Sequence, residues 1–334
     1  MSTGTGGDFV LIVAKEDDAH ARKVVGLLEA NHSMEAVFCD TGTFPHHMSV
    51  AAGIENSCLW LELAMPGRRI ELDRVRSIWW RRPQPLEVDA RIQAPEVRSF
   101  TFHECISGLY GILRCCGTPL WVNDLDRDSA AEYKPIQLKV ASELGFAIPE
   151  TLITNEPDLA MQFWQFHDRN VVYKAFNQRG VIWTPTRRLM EQDLGVLENL
   201  RLAQAIFQRH VDGVRDLRVT VVGDQVFATE FDIEGMDATD YRVKMQEIPI
   251  RPHNLPAEFE ERIRIYMKRL GLEYGALDFR LTAHDEYVFF EINTAGEFLY
   301  VEDRTGQAIA AAVASHLAGG KPANAPQPSL AVSA

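Results

Sequence analysis

Ala276-Leu-Asp-Phe-Arg-Leu-Thr282, followed after Ala283–Glu286 by Tyr287-Val-Phe-Phe-Glu-Ile-Asn293, is the stretch that decides how the chain is read. Apolar and polar residues alternate in both runs, which predicts an antiparallel hairpin with Thr282 facing Tyr287 and Asp278 lying across from Glu291. Side chains two apart share a face, so Asp278 and Arg280 point one way, and so do Glu291 and Asn293. Two carboxylates facing each other repel unless a cation lies between them. Hard oxygen donors that leave room for water and phosphate suit Mg²⁺. The alternative is a solvated polar face, but Leu277, Phe279, Leu281, Val288, Phe289 and Phe290 indicate a hairpin packed on a core. The metal reading is preferred.

Moving outward, Asp8–Ala14 reads as a short strand, and Asp17 or Asp18 can cap the amphipathic helix that buries Val24, Val25, Leu27 and Leu28. Residues 35–39, 75–80 and 119–123 read as further strands, with a helix over 96–116 and regular structure ending at Pro83 and Pro85. This alternation predicts an open α/β domain over 1–122. Helices over 130–145 and 157–167 and strands at 150–154, 171–176 and 181–184 follow. A hairpin is expected at 216–222 and 226–231 around Gly223-Asp224-Gln225. A helix over 257–270 precedes the decisive hairpin, and an Ala-rich helix over 304–317 closes the chain. Residues 319–334 read as a disordered tail. The domains expected are 1–122, 123–212 and 213–318.

Hydrophobic residues make up 46% of the 334 and charged residues 24%, as in a soluble globular protein. The net charge of −13 argues against general nucleic-acid binding. No apolar run reaches about 18 residues, so no membrane span is expected. The polar start, Met1–Asp8, is not read as a signal peptide. Five cysteines without Cys-x-x-Cys spacing suggest neither a disulfide framework nor a zinc site, and Cys115 and Cys116 read as core thiols. A reducing cytoplasm is the expected setting.

Asp-x-Arg followed by Glu-x-Asn resembles the metal-binding end of the ATP-grasp fold. Tyr133-Lys-Pro-x-Gln-Leu138, Val171-Val-Tyr-Lys174, Gln208-Arg-His-Val211 and Asp216-Leu-Arg-Val219 are similar to its opening helix, lysine strand, hinge and following strand, in that order. Within that family the chain resembles graspetide synthetases, the microviridin-type peptide macrocyclases. The residues behind this are Ser77-Ile-Trp-Trp-Arg-Arg-Pro83, Lys174-Ala-Phe…Trp-Thr184, Asp240-Tyr-Arg242 and Glu291-Ile-Asn-Thr-Ala-Gly-Glu297. The resemblance implies an α/β (α+β) ATP-grasp fold behind an open α/β pre-ATP-grasp domain. It further implies ATP with two Mg²⁺ ions, a ribosomal precursor peptide with leader and core, and a homodimer.

The resemblance also implies roles. Asp278, Glu291 and Asn293 would bind metal, and Lys134 and Lys174 would contact phosphate. Lys174 lies between apolar neighbours, where a bare ammonium is costly, although an edge lysine would also fit; Lys134, beside Pro135, can equally be solvated. Asn177–Gly180 would close over the phosphates with Arg179 and Gly180, or be a plain hairpin turn. Gln208, Arg209, His210 and Val211 would line the adenine pocket. An acidic residue is frequent where Arg209 stands, so Asp212 would serve the ribose instead. Arg218, with Arg280 beside the donors, would stabilise the transferring phosphoryl group; Asp216, on the same face, is the rival ion-pair partner of Arg218. Asp240 and Arg242 would lie near substrate, unless they form an exposed charge pair, and Arg81 and Arg82 would be further substrate residues where the first domain braces the active site. The preceding Trp79 and Trp80 alternate faces, so one of them is expected in the core. The reaction implied is phosphorylation of an Asp or Glu side chain and ring closure by a Thr/Ser hydroxyl or Lys amine. A ligase of free amino acids or peptide ends, and a silent nucleotide-binding scaffold, are the alternatives.

Overall fold

The computed structural model describes residues 8–117, 120–176, 184–235 and 247–319. Strand β1 (Phe9–Val13) is buried at every position because both of its faces are covered. Val10 and Ile12 join one core cluster, Phe9, Leu11 and Val13 another. Helix α1 (Ala19–His32) begins where Asp18 accepts the Ala21 N–H at 2.8 Å. It leads to β2 (Glu35–Phe38). Next come β3 (Ser49–Glu55), β4 (Cys58–Met65) and β5 (Arg68–Glu71), an antiparallel sheet that the sequence reading left out. Strand β6 (Val75–Trp80), helix α2 (Pro95–Arg114) and β7 (Leu120–Val122) complete a parallel sheet of order β2-β1-β6-β7. Both faces being covered, Trp79 and Trp80 are both core residues, 1% and 5% exposed, where alternation alone suggested one. Cys116 is buried as expected, but Cys115 is exposed at the helix end.

The helix expected over 130–145 is two: α3 (Leu125–Ala131) and α4 (Lys134–Glu143). Pro135 divides them, since its ring would strike the Ala131 carbonyl and it has no N–H to offer. Strand β8 (Thr151–Thr154), helix α5 (Pro157–Phe166) and strands β9 (Val171–Lys174), β10 (Arg187–Arg188) and β11 (Ala205–Arg209) form an antiparallel sheet of order β10-β9-β11-β8. Most of the strand expected at 181–184 falls outside the described residues. The last sheet joins β12 (Arg215–Val222), β13 (Gln225–Asp232), β14 (Ile250–Pro252), β15 (Tyr274–Leu281) and β16 (Tyr287–Asn293) in the order β14-β13-β12-β15-β16. Helix α6 (Ala257–Leu270) covers its core face, where Phe146 meets Phe259, Tyr266, Phe279 and Phe289 at ring distances of 5.4–6.1 Å. The closing helix is also divided, into α7 (Leu299–Thr305) and α8 (Ile309–Leu317), by Gly306 in the left-handed region at φ 71°.

The first domain is joined to the last sheet through a shared core of α1, α8, Trp79, Tyr274 and Phe298. Ser77 Oγ donates to the Leu317 carbonyl at 2.7 Å, and Arg76 Nε to that of Ala318 at 2.9 Å. His20 packs edge-on against Phe298 at 4.6 Å, and its Nδ1 faces the Phe298 N–H at 3.5 Å. Burial, reinforced by the charge of Arg81, lowers the His20 pKa to about 4, against the opposing pull of Asp18 and Glu297. Below pH 6.5 the unfolded chain therefore binds a proton that the folded one refuses down to about pH 4. Stability is lost as pH falls through that window, by on the order of 2 kcal/mol after allowance for solvent screening. Urea unfolding of wild type and His20→Gln at pH 7 and pH 4.5 should show a smaller acid loss in the variant; equal losses would remove this role of His20.

Candidate active site

Asp278 and Glu291 are register partners on β15 and β16, as the alternation predicted, but the route to that pairing is different. At the loop end the partners are Leu281 with Tyr287, not Thr282 with Tyr287. The register shifts once, between Asp278 and Phe279, leaving Phe290 as an extra residue on β16. The bulge changes side-chain parity. Phe289 and Ile292 both enter the core, whereas strict alternation from Phe289 would have carried Glu291 there. Phe290 is half-buried and lies under the Arg280 guanidinium at 5.4 Å.

The polar face so formed is almost closed to solvent, with Asp278 7% and Glu291 6% exposed. Asn293 Nδ2 sits 3.3 Å from Asp278 Oδ2 and 3.4 Å from Glu291 Oε1. Rotating the carboxamide by half a turn would put its oxygen in that place. Three cations converge on this group from three elements. Lys134, at the start of α4, brings Nζ to 3.0 Å from Glu291 Oε2. Lys174, at the end of β9, comes within 3.9 Å of the same oxygen. From β12, Arg218 Nη1 donates to both Asp278 oxygens at 2.9 Å. Among the described residues no group of three or more His, Cys, Asp and Glu side chains gathers. Two carboxylates and one amide instead form an open oxygen set. This fits a hard divalent cation that keeps ligand positions for water and phosphate.

Arg280 is placed differently from the expectation. Asp216, the rival ion-pair partner of Arg218 in the sequence, pairs with Arg280 instead: Arg280 Nε and Nη2 hold the two Asp216 oxygens at 2.7 and 2.8 Å, and Nη1 donates to the Val211 carbonyl at 2.9 Å. The reason lies in the register. Asp216-Leu-Arg218 on β12 runs antiparallel to Asp278-Phe-Arg280 on β15, with Asp216 opposite Arg280 and Arg218 opposite Asp278. Each acid faces the other strand's arginine.

At the hinge, Gln208 is buried and its Nε2 donates to Thr151 Oγ1 at 3.0 Å. The Arg209 N–H donates to the Glu150 carbonyl and the His210 N–H to that of Asn170, both at 2.9 Å. The Arg209 side chain is exposed and lies 3.6 Å from Glu150. The His210 ring is held between Arg188 Nη2, 3.3 Å away, and the exposed Asp212, 3.3 Å away. Arg81, 1% exposed, reaches from the end of β6 to the loop after β16, where Nη1 donates to the Ala295 carbonyl at 2.5 Å. Burial lowers its pKa, against the stabilising pull of Asp18 and Glu297. Arg82 Nη2 donates to Glu297 at 2.9 Å nearer the surface. Arg179, Gly180, Asp240 and Arg242 lie outside the described residues.

Sequence reasoning missed two buried carboxamides beside the site, Gln137 and Asn123. The available signal was a glutamine four residues before Ala141 on the apolar side of α4, where a polar group must find partners.

Deleting Phe290 tests the bulge. Without Phe290, alternation from Phe289 through Glu291 to Ile292 leaves Glu291 on the polar face and Ile292 in the core, so the deletion straightens β16 without burying a charge. The deletion should therefore unfold at a urea midpoint close to that of Phe290→Ala, which keeps the bulge; a far lower midpoint would mean that the extra residue itself is needed to hold Glu291 off the core.

Residues 9–129 match the family model for the MvdD pre-ATP grasp domain. The curated proteins compared include no match. Among solved structures, the macrocyclase MdnC of Microcystis aeruginosa, bound with its precursor peptide MdnA, superposes with a TM-score of 0.83 at 26% identity over 93% of this chain and 99% of that one. A RiPP-associated ATP-grasp ligase of Chryseobacterium gregarium, in complex with ADP and a leader and core peptide, gives 0.83 at 26% identity over 94% and 98%. The ATP-grasp ligase PsnB, complexed with minimal precursor, Mg and ADP, shares the fold at 24% identity and a TM-score of 0.78, over 95% and 99%. With the matched first domain, the two antiparallel sheets behind it and these likenesses along nearly its whole length, the chain is an ATP-dependent ligase with the ATP-grasp fold.

Proposed function

We propose that the chain uses ATP to phosphorylate an Asp or Glu side chain of a ribosomal precursor peptide and closes an ester or amide ring onto a Thr/Ser or Lys side chain. One observation carries the reading: Lys134, Lys174 and Arg218 meet two facing carboxylates in a nearly dry pocket. A buried group of this kind suits the phosphates of a nucleotide, which can take over the lysines from Glu291. Support for the peptide substrate comes from MdnC and the Chryseobacterium ligase, both of which were solved with precursor peptides.

Asp278, Glu291 and Asn293 would hold Mg²⁺, two ions by family resemblance, and bound Mg²⁺ would neutralise phosphate charge. Lys134 and Lys174 would orient the phosphate chain, and Arg218, fixed by Asp278, would stabilise charge on the transferring group. An oxygen of the substrate carboxylate attacks the γ-phosphorus, and the bond to the β-phosphate oxygen breaks with its electrons going to ADP. The acyl phosphate is then attacked at carbon by the hydroxyl or amine, and inorganic phosphate leaves. Each ring thus costs the peptide one water. Arg280 acts through Asp216 and Val211, tying β15 to β12 and to the hinge. Asp240 and Arg242 are retained as substrate contacts, and Arg179 and Gly180 as phosphate contacts.

A homodimer in the cytoplasm completes the proposal. Support for the dimer is apolar exposure on two touching elements: Ile54, Leu59 and Trp60 on the β3–β4 hairpin, and Val97 and Phe100 on α2. Support for the compartment is five cysteines that are all free thiols. Light scattering of the full chain should give twice the 37.7 kDa chain mass.

The reaction is tested with ATP, Mg²⁺ and a peptide carrying a leader and a Thr- and Glu/Asp-rich core. ADP release should come with the loss of one water per ring, and Glu291→Gln should slow it by roughly 100-fold or more. Turnover on a free amino acid without need of the peptide would move the activity to another ligase class. Normal ADP release by Glu291→Gln would remove the cation assignment.

A further inference from the structure

Strand β16 is the last strand of its sheet, and among the described residues its outer edge meets only an isolated bridge, Ala147 with Val288, where the Phe289 N–H donates to the Ala147 carbonyl at 2.8 Å. The part carrying Glu291 and Asn293 therefore has no strand beside it. An unpaired edge frays, yet oxygen donors must be aimed to within about half an ångström. Gln137 takes the place of a strand there, and Asn123 holds the backbone just beyond. Gln137, 1% exposed, accepts the Ile292 N–H on Oε1 at 3.1 Å and donates from Nε2 to the Ile292 carbonyl at 3.0 Å. The same Nε2 donates to the Ala131 carbonyl at 2.6 Å, at the break made by Pro135. Tyr266 fixes the glutamine from behind, donating to its main-chain carbonyl at 3.2 Å. Asn123, also 1% exposed, accepts the Glu273 and Tyr274 N–H groups on Oδ1 at 2.8 Å. Its Nδ2 donates to the Tyr274 carbonyl at 2.9 Å and the Thr294 carbonyl at 3.3 Å.

Ile292 and Thr294 are the residues on either side of Asn293. We propose that Gln137 and Asn123 are positioning residues for the ligase reaction, clamping the backbone on both sides of Asn293 so that Glu291 and Asn293 stay aimed at Asp278. The inference rests on reading those three side chains as cation donors. Only a carboxamide fits this task, because the clamp needs a donor and an acceptor side by side, as a peptide group has. Gln137 also lies within 3.5 Å of Lys134 Nζ, so one side chain aligns the metal strand and a phosphate-facing lysine together. Neither amide needs to touch substrate.

Gln137→Met keeps the length and removes both hydrogen bonds; Asn123→Leu does the same at the other side. In the full-length enzyme each should raise the Mg²⁺ concentration for half-maximal ADP release by roughly 10- to 100-fold. Calorimetric binding of ADP should weaken by a similar factor when Mg²⁺ is present and hold steady without it. In the metal-free protein, the Ile292 amide should exchange slowly with solvent in wild type and much faster in Gln137→Met. A lower melting temperature with an unchanged Mg²⁺ midpoint would make the amides merely structural and overturn the proposal. So would fast Ile292 exchange in wild type. Should Gln137→Met fail to fold, Gln137→Glu keeps the acceptor and loses the donor, and its Mg²⁺ midpoint decides in the same way. Glu291→Gln run in parallel separates the two ideas. If it leaves the midpoint in place, the cation reading fails; if it moves the midpoint while the clamp variants do not, only the positioning role fails.

Discussion

Two carboxylates are held face to face in a nearly dry pocket, and everything around them answers to that repulsion. In water their interaction is small, but away from water it costs several kcal/mol unless cations sit close by. Lys134 comes from α4, Lys174 from the central sheet and Arg218 from the neighbouring strand. No single element carries enough charge to balance the pair. The central and last sheets must approach each other, and the site exists only where they do. A nucleotide with its cations would supply the same balance from outside, which makes the arrangement a natural receiver for one.

The mutual bracing of β12 and β15 rests on a repeated dipeptide pattern. Asp-x-Arg on one strand opposes Asp-x-Arg on the other, and because the strands run antiparallel, each acid meets the other's arginine. One of these pairs, Arg218 with Asp278, belongs to the site; the other, Arg280 with Asp216, carries the alignment on to the hinge through Val211. A shared charge pattern thus serves chemistry at one end and connection at the other.

The first domain acts as a buttress for the loop that follows β16. Arg81 donates to the carbonyls of Ala295 and Gly296, and Tyr274 Oη donates to the latter at 2.7 Å. There is no space for a side chain here: a Cβ on Gly296 would come within 2.4 Å of Ala276 and 2.7 Å of Arg218. The glycine in Glu291-Ile-Asn-Thr-Ala-Gly-Glu297 is required by close approach to the arginine that grips Asp278.

The residues alone determined the local patterns: the apolar strand Phe9–Val13, the cap at Asp18, the hairpin around Gly223-Asp224, and the three oxygen donors on one face of the last hairpin. Period and capping are properties of neighbouring residues, so they can be read from order. The register also came out correctly, but for the wrong reason, because a bulge at Phe290 compensates for a loop pairing displaced by one residue. Alternation cannot place such a bulge, since the benefit of moving Glu291 off the core face comes from lysines far away in the chain. The same limit explains why β3–β5 went unread and why both Trp79 and Trp80 proved buried. Only the tertiary structure decided which acid each arginine takes, and which amide replaces a missing strand edge. Those choices are made by groups brought together from distant parts of the chain, where the cost of leaving a buried charge or peptide group unpaired selects the partner.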